Sequence, residues 1–285
     1  MLHPSLIELA ESAPLCANPA TVRGVLAESL DLLGNALHHG EDPAELAGWF
    51  SRVVTDALHS PGIDVEVVLT GPVGRGDALP TSPVMWLAVV DKHDADPNPR
   101  LARLLTEAGL VAEPVGAATR EQWEECAQSG QQPEVYLDAG TWVASLTRVA
   151  GRVLLEDALA SRPPALEVAD GLPSHDMNVN VRENLMIPTV KLARWAAHEA
   201  GSLAPTTAQR LIHAHSAGIL TGDETDALTQ VWKSALELQS RRWMDGIHDQ
   251  DATAWDMPAL QRSTFGAAAR LLSQVMSSVA QQHED

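Results

Sequence analysis

Cysteine is nearly missing from this chain: Cys16 and Cys126 are the only two among 285 residues. Their wide separation offers neither a disulfide framework nor a cysteine metal site, and isolated thiols fit a reducing cytoplasm. Cationic side chains are also scarce, with 19 Lys and Arg against 38 Asp and Glu, so the net charge is −19 at pH 7. Such a field repels DNA, RNA and anionic lipid, and no local basic patch offsets it, which argues against a nucleic-acid partner. An apolar run near the roughly 18 residues of a membrane span is absent as well. The opening MLHPSLIELAESAP lacks a basic region followed by an apolar core. Internal repeats and low-complexity tracts are not found. These absences predict a soluble cytoplasmic protein whose partners include neither nucleic acid nor membrane.

With 45% hydrophobic and 20% charged residues, the chain has the composition of a globular protein. Its length predicts two domains, each able to bury a core. The first sixty residues read as helices. Thr21 to His39 carries leucines and valines near helical spacing and ends at Gly40. Asp42-Pro43 then sets a cap and a first-turn proline before a second apolar stripe ending at Leu58. His38-His39 and His213-x-His215 invite a metal reading, but neighbours one or two apart do not share a helix face.

The stretch from Val67 to Val90, VVLTGPVGRGDALPTSPVMWLAVV, is the most informative segment. Two short apolar runs around a glycine turn predict two buried strands. Gly71 and Gly74 would let backbone amides approach an anion, and Arg75 could add a guanidinium. The loop from Asp91 to Pro97 is dense in carboxylates and reads as a solvated loop or an oxygen-rich cation site, leading into a helix from about Asn98 to Gly109. A short helix is expected at Thr119 to Cys126, a third strand at Glu134 to Asp138, and a helix from Thr141 to Leu159. Three prolines and a glycine mark residues 161–180 as a domain junction. Beyond it, four helices are expected at Pro188 to Ala200, Thr206 to Ala217, Thr225 to about Met244, and Met257 to Gln281. Short connections predict an antiparallel bundle.

Leu69 to Val90 resembles the strand–turn–strand of the nucleotidyltransferase superfamily, in the group similar to PII uridylyltransferase and CBS-domain-associated nucleotidyltransferases. Those read Gly-Ser-x-Gly-Arg-x-Glu, a polar arm, Asp-x-Asp and an apolar strand, and this chain supplies Gly71, Gly74, Arg75 and Asp77 in register. A second match covers Asn180 to Pro188, Arg194 and Thr206-Thr207-Ala-Gln-Arg210-Leu211, which look like that family's C-terminal helical substrate-binding domain. The resemblance implies an α+β fold: an N-terminal helical segment (1–60), a small mixed sheet of nucleotidyltransferase type (61–165) and a C-terminal antiparallel helical bundle (175–285). It also implies nucleotide or anion contacts from Gly71, Gly74, Arg75, Arg182, Arg194 and Arg210.

The family's chemistry needs Mg²⁺ ions and a nucleoside triphosphate, with carboxylates as ligands. Counted from Gly71, the Asp-x-Asp pair falls on Pro83 and Met85, and the phosphate-binding serine falls on Pro72. No catalytic or metal residue is therefore assigned, with Asp77 and Asp138 as weak catalytic candidates and Asp77, Asp91 and Asp138 as weak metal candidates. The resulting expectation is a degenerate nucleotidyltransferase-like protein that binds a nucleotide or a regulatory protein partner in signalling. The alternatives are an active metal-dependent enzyme that modifies a regulatory protein, and a purely structural helical adaptor.

Overall fold

The computed structural model describes residues 2–91, 96–169, 172–174, 177, 179–247 and 257–283. Part of the expected cation loop (residues 92–95) and parts of the expected junction lie outside them. The chain divides into two compact units, Met1–Val149 and Ala150–Asp285. The fold is α+β, with a small mixed sheet in the first unit and helices dominating the second, as the sequence predicts.

The N-terminal unit opens with α1 (Pro4–Ser12), α2 (Pro19–His38) and α3 (Pro43–Leu58). Each has proline in its first turn, where the missing N–H costs nothing. Asn18 and Thr21 form a reciprocal capping box on α2, and the Asp42 carboxylate accepts the Ala44 N–H at 2.8 Å on α3. Leu26 and Leu33 of α2 and Leu46, Phe50, Val53 and Val54 of α3 are fully buried. The Trp49 indole donates to the Leu6 carbonyl at 2.8 Å and ties α3 to α1.

Three strands follow: β1 (Glu66–Thr70), β2 (Pro83–Val89) and β3 (Val111–Ala118), in the order β1-β2-β3. β1 is antiparallel to β2, with Thr70 opposite Met85 and Glu66 opposite Val89. β2 is parallel to β3, with one irregularity between Trp86 and Leu87. The central strand buries Val84, Trp86, Leu87 and Ala88, and its unbroken apolar run follows from cover on both faces. Between β1 and β2 lies the short helix α4 (Gly71–Arg75); between β2 and β3 lies α5 (Asn98–Glu107). After β3 come α6 (Arg120–Gln128), α7 (Pro133–Leu137) and α8 (Thr141–Ala144).

Three expectations need correction. Residues 134–138 form no strand: Gln132 takes a left-handed φ of 46° and Pro133 starts α7, turning Val135 and Tyr136 into a cluster with Trp123. The third strand is instead Val111–Ala118, whose small residues and half-exposed edge position give no strict alternation. The apolar stretch from 141 to 159 is also not one helix. It breaks after α8, where the Arg148 N–H bonds back to the Ala127 carbonyl, and resumes as α9 (Gly151–Ala160) in the second unit. The division thus falls at 149/150 rather than within 161–180, because α9 packs on the second unit's own helices.

In the C-terminal unit, α9 is followed by a two-stranded ribbon of β4 (Val168–Ala169) and β5 (Leu172–Pro173). One wide π-type turn, Arg182–Met186, leads directly into α10 (Ile187–Glu199). Then come α11 (Thr207–Ser216), α12 (Gly222–Met244) and α13 (Ala259–Gln282), each within a few residues of its expected bounds. α10 packs on α9 and α11, and α12 on α11 and α13. Trp195, Trp232, Leu236, Phe265, Leu272 and Met276 are buried in this core. The buried Glu224 joins α12 to α13 by accepting from Ser278 at 2.8 Å and Gln282 at 3.0 Å. Burial alone would push its carboxyl up, but those bonds and the Thr221 N–H and hydroxyl hold it below the ordinary glutamate range.

Candidate functional site

The glycine turn sits where antiparallel pairing brings the end of β1 beside the start of β2. Gly71 leaves the strand at a φ of +59°, the left-handed region that side chains disfavour, and Gly76 closes α4 at +80°. A Cβ on Gly71 would meet the Met85 sulfur at 2.6 Å. A Cβ on Gly74 would meet the Asp138 and Leu69 carbonyl oxygens at 2.5 and 2.6 Å. Both glycines are therefore required by close approach of the protein itself, and Met85 covers the first of them. Pro72 has no N–H to offer, and its carbonyl accepts the Asp77 N–H at 2.9 Å. The turn residue Thr70 uses its hydroxyl to bond the Val135 carbonyl.

Arg75 is 7% exposed and lies between two carboxylates. Its Nη1 donates to Asp138 Oδ2 at 2.5 Å, and its Nε lies 3.4 Å from Asp77 Oδ2, an ion pair whose geometry falls short of a hydrogen bond. Asp77 and Asp138 are themselves buried. Buried charges need partners of this kind, because their hydration is lost. The group carries one positive and two negative charges and forms an ionic lock between the turn and the end of α7. Close by, burial pushes the Tyr136 phenol up to about 12, with Cys126 and Glu134 adding to the effect.

The residues fail to fit the magnesium site that the resemblance implies. Pro83 has no side-chain donor, and the Met85 thioether is a soft group unsuited to a hard cation. Asp77 and Asp138 face a guanidinium. Asp91 follows the far end of β2, six residues and about 20 Å of strand beyond Met85. Among the described residues no three His, Cys, Asp or Glu side chains are grouped so as to hold a metal ion. The histidine pairs also diverge: His213 Nδ1 meets Ser202 Oγ at 2.7 Å, and His215 Nδ1 meets the Leu220 carbonyl at 3.2 Å.

Of the expected anion ligands, Gly71, Gly74 and Arg75 share the turn, while Arg182, Arg194 and Arg210 belong to the second unit and differ in exposure. Arg182 is half exposed, 3.8 Å from Glu183. Arg194 and Arg210 are buried, and Arg210 Nε donates to the Ala204 carbonyl at 2.9 Å. Lys191 pairs with Asp157 at 2.7 Å. The sequence reading missed two further buried arginines. Arg242 is fully buried, and Arg262 donates to the Pro173 carbonyl at 3.3 Å. Arg242 ends α12 beside Arg241, a pattern that reads as ordinary dipole complementation.

The class of protein becomes visible at this point. Residues 149–280 match the family described as "putative nucleotidyltransferase substrate binding domain". The helical unit is thus similar to a domain described for nucleotidyltransferases, and the match nearly reproduces the unit's limits. No curated protein matches the chain. Among the described residues no helix is long and apolar enough to cross a membrane.

Proposed function

We propose that this protein is a nucleotidyltransferase-like binding protein that has lost transfer chemistry and acts through a regulatory protein partner. The observation that carries the reading is the Arg75 lock: a guanidinium held by Asp138 at 2.5 Å and by Asp77 at 3.4 Å, beside a glycine covered by Met85. Phosphoryl transfer relies on metal ions and on oxygens positioned to within about 1 Å. Here the two candidate carboxylates near the turn share the Arg75 guanidinium, and the third is remote. The match of residues 149–280 to a substrate-binding domain supports a recognition role for the helical unit.

Calorimetric titration with ATP and UTP, each with and without Mg²⁺, tests the reading. No magnesium-dependent heat is expected. Saturable, magnesium-dependent binding of either nucleotide would restore the active alternative.

A further inference from the structure

Where α13 begins, the helical unit buries a cation that has no carboxylate partner among the described residues. Arg262 is the fourth residue of this 24-residue helix and is 9% exposed. Its Nη1 donates to the Pro173 carbonyl of β5 at 3.3 Å, while Nε is enclosed and has no hydrogen-bond partner. Nη2 makes no bond among the described residues either, and it is not sealed in as Nε is. Positions 262, 266 and 270 share one helix face. At the middle position the missing side chain of Gly266 lets Pro173 rest on the helix: a Cβ there would lie 2.8 Å from Pro173 Cγ and 3.5 Å from Arg270 Nη1. Two guanidinium groups thus lie on the helix face that receives Pro173.

The sequence holds 38 carboxylate residues against 19 Lys and Arg, so an arginine has acids to spare, yet neither Arg262 nor Arg270 forms an ion pair among the described residues. Taking a guanidinium out of water without a counter-charge is costly. The start of a helix is also the positive end of its dipole, and the first turn of α13 has no acidic residue to offset it. Arg270 adds a like charge nearby. Desolvation, dipole and like charge all oppose a bare cation here, and an anion relieves all three. Hydrogen-bond geometry narrows the choice. With Nη1 held by a backbone carbonyl, Nε and Nη2 form the side-on pair of N–H groups that receives two oxygens of one oxyanion. An oxyanion that reaches Nη2 sets its second oxygen against Nε. The second guanidinium and the helix dipole favour a doubly charged phosphate group over a singly charged carboxylate.

We propose that Arg262, assisted by Arg270, binds a phosphate group at the start of α13, carried either as inorganic phosphate or on a small phosphate monoester. Neither residue belongs to the glycine turn and no metal ion is required, so the proposal is independent of whether transfer chemistry is lost.

Calorimetry of the full chain in about 0.1 M salt, where diffuse attraction is screened beyond about 10 Å, tests it with inorganic phosphate, methyl phosphate and acetate. The pH is set at about 8, where a phosphate group carries close to two charges. One or both phosphates should give saturable single-site heat, and the tighter of the two identifies the source; acetate should bind more weakly than either. Arg262→Gln should weaken phosphate binding about tenfold or more, and Arg262→Lys, which keeps the charge but loses the fork, should also weaken it, by about threefold or more. Arg270→Gln should weaken it by about threefold, as expected for one exposed ionic contact. Arg152→Gln, an exposed arginine beside the far end of α13, should change it by less than about twofold. Phosphate should also raise the melting temperature of the parent protein, and that rise should vanish in Arg262→Gln. No saturable heat with either phosphate, unchanged binding in Arg262→Gln, equal weakening by Arg152→Gln, or acetate binding as tightly as phosphate would each overturn the proposal. Arg270 is exposed, so Arg270→Gln keeps the fold, and full phosphate affinity in that variant would overturn the assisting role even if Arg262→Gln failed to fold.

Discussion

Arg75 ties the glycine turn to the residue that follows α7, across 63 positions of sequence. The cation beside these two buried carboxylates is covalently part of the chain. The resemblance placed Arg75 and Asp77 at the turn and put Asp138 where a third carboxylate would stand. It could not show that the three bond to each other, because Arg75 and Asp138 are 63 residues apart and α7 brings them together. Truncating Asp138 takes the close acceptor from the buried Arg75 Nη1, and breaking a buried ion pair typically costs about 3–5 kcal/mol. Asp138→Ala should therefore lower the urea-unfolding free energy by about that amount. Asp138→Asn, which keeps an acceptor for Nη1, should lose less. Equal, near-zero losses for both would mean that the pair contributes nothing to stability.

Elements were legible wherever a cap and a period agreed. Asp42-Pro43, Thr119 and Thr206 each stand before a helix that the structure contains. Where apolar residues were few, tertiary packing decided instead. Val135 and Tyr136 satisfy a five-residue helix as well as a strand, and β3 keeps its place by pairing with β2 despite small residues and Pro114. The glycine turn was legible as a turn but not as a packed one. Gly74 tests this: the new methyl of Gly74→Ala would press on two backbone oxygens, which cannot swing aside as a side-chain end can. The variant should be destabilised by about 1–3 kcal/mol or more in chemical denaturation. Gly71→Ala should also lose stability because of its positive φ, and Met85→Ala should recover the steric part of that loss. If Gly74→Ala were neutral, the turn would have room for the ligand that an open phosphate loop holds.

At the scale of the whole molecule, the family match covers residues 149–280, nearly the whole of the helical unit. Each unit has its own buried core, and separate cores unfold cooperatively within themselves. Scanning calorimetry should therefore resolve two transitions, and point substitutions can assign them. Asp138→Ala should lower the transition of Met1–Val149. Glu224→Gln should lower that of Ala150–Asp285, by about 1–3 kcal/mol for the broken bonds to Thr221, Ser278 and Gln282. Acid separates them further. The Glu224 carboxyl titrates lower in the folded protein than in the unfolded chain, so its stabilisation is complete above the unfolded value near 4.3 and fades as pH falls through the folded one. In Glu224→Gln that part of the acid sensitivity should vanish from the second transition and leave the first unchanged. A single transition moved equally by both substitutions would show that the two cores melt as one.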